Sequence, residues 1–253
     1  MADSTKNPET IRLNKFIASA GITSRRGADE LINQGKVKIN GERVDSPGVQ
    51  VDPENDLVEV NGKPVKHDSQ AENVYILLNK PIETVTTAKD PQKRKTVLDL
   101  LPLNFRQKRV FPVGRLDFYS EGLLILTTDG ELCNRLTHPK WHLPKVYEVI
   151  VRGPVSPKNI AIMETGMCLC EGDRLAPVKV KILSEGKDTT KIEMILNQGV
   201  NRQIRRMFRD FDTTILKIKR SRQGKVELGD LPAGKWRELT SDEVKSLKKD
   251  VGL

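Results

Sequence analysis

The sequence predicts an α+β protein in two parts: a small N-terminal module, and a larger domain with a mixed, mainly antiparallel sheet flanked by helices. Three observations support this fold class. The chain has 253 residues, enough for two domains that each bury a hydrophobic core. Residues 11–63 contain two short helical patterns followed by alternating strands and Asn-Gly turns. From residue 73 onward, strand-like segments dominate and helical segments interrupt them irregularly.

The composition indicates a soluble globular protein that binds a polyanion. Hydrophobic residues make up 37% of the chain, charged residues make up 30%, and the formal net charge is +9. This positive balance favours nucleic acid as the partner over an anionic membrane surface. No apolar run approaches the roughly 20 residues that cross a bilayer. Residues 1–10 lack the order of a signal peptide. We therefore expect a cytoplasmic protein with no membrane partner.

The cysteines and histidines predict neither a disulfide framework nor a metal site. Cys133, Cys168 and Cys170 are odd in number and lack framework spacing, which is typical of a reducing compartment. The three histidines are scattered, and no combination with the cysteines has the spacing of a zinc site.

The N-terminal module is predicted to span residues 11–63. The polar residues 1–10 before it are expected to be disordered. Residues 64–72 are polar, begin with a proline and read as a linker. Within the module, hairpin turns are predicted at Asn40-Gly41 and Asn61-Gly62.

Two helices are predicted at the start of this module. Apolar residues recur at helical spacing over residues 13–20, and Gly21 follows as a C-terminal cap. Ser24 is the predicted N-cap of a second helix that stops near Gly35. Basic residues gather around these helices and the next strand: Arg12, Lys15, Arg25, Arg26, Lys36 and Lys38. They form either a solvated helical face or a phosphate-binding face, and their place in a basic chain favours phosphate binding.

Residues 12 to about 60 resemble the alpha-L RNA-binding domain, which occurs in a small-subunit ribosomal protein and in several RNA-modifying enzymes. The segment SRRGADELINQGKVKINGERV carries this resemblance. It implies that the six basic residues contact RNA.

The larger domain is predicted to span residues 73–253. Its strand patterns are VYILLNKP, EGLLILT, KVYEVIVRG, APVKVKILSEG, TKIEMILNQG and TILKIKRSRQGKVEL. KTVLDLLP, ELCNRLTHP and NRQIRRMFRDF are predicted helices, and a turn is predicted at Asp129-Gly130. Thr240 and Glu243 have the spacing of a capping box for a last helix.

Asp117 is the first candidate for chemistry. In the segment GRLDFYSEGLLILTTDGEL it lies two residues after Arg115 and just before a run that looks fully buried. A carboxylate in a dry environment is costly unless it is paired. Spacing alone leaves two alternatives open: Asp117 is the partner of Arg115 in a structural ion pair, or it is a nucleophile or base.

Three segments of the larger domain resemble motifs of the RsuA/RluB-type pseudouridine synthases. GRLDFYSEGLL has the form of the family's central motif, so the resemblance implies that Asp117 is catalytic. KVYEV resembles the motif whose tyrosine packs against the target base, which maps to Tyr147. NQGVNRQIRRMF resembles the motif whose arginine pairs with the catalytic carboxylate, which maps to Arg205. The expected substrate-binding residues beside them are Arg115, Arg202 and Arg206.

One position departs from the family pattern. After Asn-Lys-Pro the family usually has a glycine two positions on, and this chain has Glu83. Glycine reaches positive φ readily and glutamate rarely does, so the sequence leaves the geometry of this loop open.

The resemblance implies isomerisation of a single uridine in ribosomal RNA, and GVNRQIRRM favours large-subunit RNA over small-subunit RNA. The reaction requires no cofactor. We expect a monomer that acts on ribosomal RNA, in an assembly intermediate of the ribosome. Three alternatives remain: an RNA-binding or ribosome-assembly protein without catalysis, a synthase for small-subunit RNA, and a hydrolase that releases uracil.

Overall fold

The computed structural model describes residues 10–65, 72–141 and 143–253. The chain divides into two compact units between Glu72 and Asn73. Most of the predicted disordered segment and of the predicted linker lies outside the described residues. Pro64 and Val65, at the predicted start of the linker, belong to the first unit: Pro64 ends a strand and Val65 is buried in the core.

The first unit packs two helices against short strands. The helices are α1 (Leu13–Ser19) and α2 (Arg25–Asn33). The strands are β1 (Ile11–Arg12), β2 (Val37–Ile39), β3 (Glu42–Val44), β4 (Gln50–Val51), β5 (Val58–Val60) and β6 (Lys63–Pro64). Strands β3-β2-β5-β6 form one antiparallel sheet, and β1 pairs with β4.

The local signals of this unit act as the sequence predicts. The Ser24 hydroxyl accepts a hydrogen bond from the Gly27 backbone N–H at 3.1 Å and caps α2. Both Asn-Gly turns have positive φ at both central residues, 52° and 87° at Asn40-Gly41 and 52° and 73° at Asn61-Gly62. That conformation matches the twist of the strands it joins, so each turn closes a hairpin.

The second unit is built on one mixed sheet. Its strands are β7 (Tyr75–Lys80), β8 (Phe111–Pro112), β9 (Glu121–Thr127), β10 (Lys145–Arg152), β11 (Lys179–Glu185), β12 (Thr189–Leu196), β13 (Ile215–Gln223), β14 (Val226–Glu227) and β15 (Trp236–Glu238). In the described residues their order is β11-β12-β10-β13-β9-β7-β15, with β14 beside β13 and β8 beside β9. The β9–β13 pair is parallel and the other pairs are antiparallel, which confirms the predicted sheet.

Helices cover this sheet. They are α3 (Leu103–Gln107), α4 (Gly130–Thr137), α5 (Pro157–Thr165), α6 (Gln203–Asp210) and α7 (Ser241–Asp250). Successive residues of β9 alternate between two hydrophobic cores: Leu123 and Ile125 pack in the core that includes Leu132 of α4, and Leu124 and Leu126 pack in the other. Because the strand is covered on both faces, its sequence is a continuous apolar run. The capping box at Thr240 and Glu243 is present at α7.

Several elements refine the sequence prediction or add to it. The short helix predicted in KTVLDLLP is a 3₁₀ helix over Val97–Leu100. Asp129 caps α4 by accepting from the Leu132 N–H at 2.9 Å, so the helix begins where a turn was predicted. Helices α3 and α5 were not predicted, although Ser156 as N-cap and Pro157 at the first helical position are signals of α5. Among the described residues, no helix is long and apolar enough to cross a membrane.

Candidate active site

A cavity of about 570 Å³ opens in the second unit between the turn before β9, strands β10 and β13, and the start of α6. Five of the six predicted site residues in this unit line it: Arg115, Asp117, Tyr147, Arg202 and Arg205. The fold therefore brings together side chains that the sequence separates by up to 90 positions.

Asp117 lies on a turn whose backbone carbonyls accept hydrogen bonds from a buried lysine. The Ser120 N–H donates to the Asp117 carbonyl at 3.0 Å and closes the turn. Lys80, at the end of β7, is fully buried. Its Nζ donates to the carbonyls of Asp117 at 3.0 Å, Ser120 at 2.8 Å and Pro81 at 3.0 Å. Burial lowers the pKa of the Lys80 ammonium to about 8, while the charges of Asp117 and Glu121 oppose this shift.

Two arginines from the start of α6 face the Asp117 carboxylate. Arg205 Nε lies 3.5 Å from Asp117 Oδ2, and Arg202 Nη1 lies 3.9 Å from the same oxygen. Arg205 Nη2 also donates to the Tyr119 carbonyl at 2.7 Å and to Ser120 Oγ at 3.2 Å. Burial lowers the pKa of Arg205, and the nearby Asp117 counteracts that shift. Arg205 therefore forms an ion pair with the carboxylate and hydrogen-bonds the turn that carries it.

The structural ion pair between Arg115 and Asp117 is not formed. Among the described residues, the ion pairs of Asp117 involve Arg202 and Arg205, both from the start of α6. Arg115 is exposed at the edge of the cavity. The Asp117 side chain keeps 31% of its surface exposed, so it is held by distant residues of the chain and still open to a ligand.

Tyr147 contributes an aromatic ring to the cavity from β10. It is half-buried and packs against two of the hydrophobic cores. Across the sheet it is paired with Met194 of β12 and Arg220 of β13. These neighbours hold the side chain in place without covering it.

Arg206 has other partners. Its guanidinium pairs with Glu171 and Asp173, and it does not line the cavity. Consecutive helical residues point in different directions, so Arg206 faces away from the carboxylate that Arg205 contacts. Arg206 therefore does not contact the cavity, contrary to its prediction as a substrate-binding residue.

Glu83 adopts the backbone conformation that glycine favours. Its φ is 59°, and its N–H donates to the Phe118 carbonyl at 2.8 Å, next to the Asp117 turn. The question that the sequence left open is answered for this chain: Glu83 has a positive φ, and its backbone bond holds the loop against the Asp117 turn.

The six basic residues predicted to contact RNA are all exposed in the first unit: Arg12, Lys15, Arg25, Arg26, Lys36 and Lys38. Arg25 Nη2 donates to Asn14 Oδ1 at 3.3 Å. The exposed positions leave these cations accessible to a polyanion.

In the described residues, no group of three or more His, Cys, Asp or Glu side chains is arranged to hold a metal ion. Two of the three histidines, His67 and His142, lie outside the described residues.

Sequence reasoning missed several buried polar residues of the site, among them Lys80, Gln203, Arg220 and Gln223. Lys80 had a signal, because it ends an otherwise apolar strand. Gln203 and Arg220 both line the cavity, but they lie among other polar residues in the sequence, where nothing separates them from a solvated face.

Comparison with known proteins defines the class. Residues 74–210 match the family model described as RNA pseudouridylate synthase, and residues 11–58 match that of the S4 domain. The chain belongs to the RNA pseudouridylate synthase family. It is accordingly an RNA pseudouridine synthase, an isomerase, with an N-terminal S4 RNA-binding domain.

Relatives resemble the chain over nearly its whole length. It is 45% identical to an uncharacterized RNA pseudouridine synthase of Aquifex aeolicus, covering 96% of both chains. It is 44% identical to ribosomal large subunit pseudouridine synthase B of Bacillus subtilis, covering 94% of this chain and 95% of the relative. A crystal structure of a pseudouridylate synthase aligns with a TM-score of 0.68 and 32% identity, covering 94% of this chain and 99% of that one.

Proposed function

We propose that this enzyme converts one uridine of ribosomal RNA to pseudouridine, and that its substrate is large-subunit RNA. The observation that carries the proposal is the Asp117 carboxylate, 3.5 Å from Arg205 Nε in a cavity that Tyr147 also lines. The 44% identity with a B. subtilis protein named for the ribosomal large subunit supports the choice of RNA. An assembly intermediate of the ribosome is the proposed form of the substrate.

Asp117 is the proposed catalytic residue, acting as nucleophile or base. Pseudouridine synthesis breaks the bond between uracil and ribose, turns the base and rejoins it through carbon, so a carboxylate suffices and no redox cofactor is needed. Arg205 is proposed to pair with Asp117 and keep its carboxylate aimed at the substrate. Arg202, at 3.9 Å from the same carboxylate oxygen, and Arg115, at the cavity edge, are the proposed substrate-binding residues.

Tyr147 is proposed to stack on the target base. A uridine must leave its helix to enter a cavity, which costs a few kcal/mol of lost stacking and pairing. An aromatic side chain compensates with roughly 1–3 kcal/mol per base. The exposed basic residues of the first unit are proposed to dock phosphates of the folded RNA and so choose the site.

The reaction class is tested by tritium release. RNA labelled at carbon 5 of uridine loses tritium when the base is rejoined through that carbon, and digestion of the product then yields pseudouridine. An RNA-binding protein without catalysis would release no tritium. A hydrolase would release free uracil and leave abasic RNA.

The RNA target is tested by mapping pseudouridines in ribosomal RNA from cells with and without this gene. We expect one large-subunit position to lose its modification in the deleted strain and regain it on complementation. Loss of a small-subunit position instead would reassign the substrate and leave the reaction class intact.

A further inference from the structure

A second group of polar side chains lines the same cavity, on β10 and β13. Lys145 and Tyr147 are two residues apart on β10, so their side chains share one face of the sheet, and both line the cavity. The strand register places Gln223 opposite Lys145 and Arg220 opposite Tyr147. These residues form the floor of the cavity beside the proposed stacking position.

An irregularity in β13 turns both of its polar residues toward the cavity. Arg220 and Gln223 are three positions apart, so in a regular strand they would point to opposite faces. The register shifts between Val146 and Tyr147, which inserts one extra residue into β13 between them. As a result Arg220 and Gln223, which are 2% and 1% exposed, both line the cavity.

These buried groups lack partners within the described part of the protein. Arg220 Nε donates to the Leu123 carbonyl at 2.7 Å, but its Nη2 has no hydrogen-bond partner there. The same holds for Gln223 Oε1. Lys145 Nζ donates only to the Leu143 carbonyl, at 3.1 Å, among the described residues. Native proteins rarely leave such groups unsatisfied. A ligand acceptor would complete Arg220 Nη2, whereas Gln223 Oε1 needs a donor, so the donors Arg220 and Lys145 are the groups that indicate an acceptor-rich ligand.

The charge of the cavity indicates an anion. Among its described lining residues the cations are Arg115, Lys145, Arg202, Arg205 and Arg220, and Asp117 is the single acid. Arg202 and Arg205 face Asp117, whereas Arg220 and Lys145 form no ion pair with a carboxylate in the residues described. Burial and the neighbouring Arg220 lower the pKa of Lys145 to about 8, which a bound anion would reverse.

We propose that Lys145 and Arg220 bind a phosphate of the RNA backbone next to the target uridine. The inference rests on the proposed function, because it concerns the cavity that receives the uridine. Side chains two residues apart on a strand are about 6.6 Å apart along it, so a base on Tyr147 has its own sugar-phosphate within reach of Lys145. Arginine offers a planar fork of donors that suits phosphate, and a lysine adds a point charge. The subsite anchors the extruded nucleotide by its backbone, while Tyr147 holds its base.

The test is RNA binding across a salt series, with the transcribed ribosomal RNA that the wild-type enzyme modifies. Lys145→Gln should weaken binding by about 10-fold, because hydrogen bonds to charged groups are stronger than neutral ones. It should also reduce the slope of log K against log salt by about 0.7 to 0.9, the contribution of one neutralised phosphate. Arg220→Lys keeps the positive charge and loses the planar fork of donors, so its affinity for the RNA should also be lower than that of the wild type. Lys179→Gln, an exposed residue of β11, is the matched control and should bind as wild type does.

The outcomes separate this inference from the proposed function. If Lys145→Gln binds the RNA with the same affinity and the same salt slope as the wild type, and the wild type forms pseudouridine, the phosphate subsite alone is overturned. Failure of the wild type to form pseudouridine in any ribosomal RNA would overturn the proposed function, and the subsite with it. Thermal unfolding checks that each variant is folded. If Arg220→Lys fails to fold, Lys145→Gln decides.

Discussion

Lys80 is the residue on which the shape of the Asp117 turn depends. It is fully buried, and its ammonium donates hydrogen bonds to three backbone carbonyls: those of Asp117 and Ser120 in the turn, and that of Pro81. Each buried acceptor left without a donor costs about 1–3 kcal/mol. A carboxylate that must meet a reacting atom needs such a rigid support. Lys80 is therefore a positioning residue for the proposed chemistry.

Lys80→Met should lower the free energy of unfolding by about 3 kcal/mol or more and reduce turnover. The pKa of this group is about 8 in the folded protein, and an ordinary lysine has a pKa of about 10.4. Between these values the unfolded chain binds more protons, so the contribution of Lys80 to stability rises with pH. Urea unfolding should therefore show a larger loss at pH 9.5 than at pH 7.5. The exposed Lys158→Met is the control, and an equal loss at both pH values would contradict the lowered pKa of Lys80.

Arg205→Ala should reduce the single-turnover rate by about 10²- to 10³-fold, the usual effect of removing one preorganised charged group from an active site. The variant loses one of the two arginine partners of Asp117 and two hydrogen bonds to the turn. Arg206→Ala is the matched control on the same helix, because Arg206 pairs with Glu171 and Asp173 outside the cavity. Equal losses in both variants would show that the helix needs its charge in general and not Arg205 in particular.

Sequence motifs predicted Asp117, Tyr147 and Arg205, and the fold brings all three to one cavity. The partners of each charge could not be predicted in the same way. Arg115 is near Asp117 in sequence, yet the ion pairs of Asp117 run to residues more than 80 positions later. Pairing of charges depends on the tertiary structure, whereas the residue types that chemistry needs are visible in a motif.

Among the elements, Gly122 allows β9 to pair in parallel with β13, the strand that carries Arg220 and Gln223 of the cavity floor. It is opposite Arg220 in the β9–β13 pair and has a φ of 106°. A Cβ atom at this position would lie 2.3 Å from the Arg220 carbonyl oxygen. The close approach of two backbones therefore requires glycine here.

Gly122→Ala should destabilise the second unit by about 3 kcal/mol or more, because the new Cβ would clash with backbone that cannot move freely and the positive φ would be strained. Gly130→Ala is the control: its Cβ would meet nothing within 4 Å, and it begins α4. That substitution should be neutral or slightly stabilising, since alanine favours helices. Denaturant unfolding measures both, and a small effect of Gly122→Ala would mean that the strands can separate at little cost.

Elements with local signals were predicted from the sequence, and the remainder depended on context. Asn40-Gly41 and the Thr240 capping box act through neighbouring residues, so both were recognised. The 3₁₀ helix at Val97–Leu100 also has a local signal, the capping box of Thr96 and Asp99. The positive φ of Glu83 has none and accompanies a backbone bond to Phe118, which is distant in the sequence. Tertiary contacts override local preference at such positions.

At the scale of the whole molecule, each of the two units has a hydrophobic core of its own. The predicted basic face lies on the first unit and the candidate active site on the second.

Removing residues 1–72 should therefore weaken RNA binding and flatten its salt dependence. The slope of log K against log salt should fall by about 0.7 to 0.9 for each phosphate that the shortened protein no longer neutralises. Turnover at saturating RNA should persist. A truncated protein that binds with an unchanged slope would refute the docking role. Loss of all turnover would show that the first unit helps to assemble the active site.

The most direct test of the central claim is the Asp117→Asn variant, which keeps the shape of the side chain and removes its charge. Pseudouridine formation in the ribosomal RNA substrate is measured under single-turnover conditions, together with the affinity for that RNA. We predict a loss of activity of at least about 10³-fold, as for other catalytic groups, with RNA binding retained. Turnover near the wild-type rate in Asp117→Asn would contradict the assignment of this carboxylate as the catalytic group.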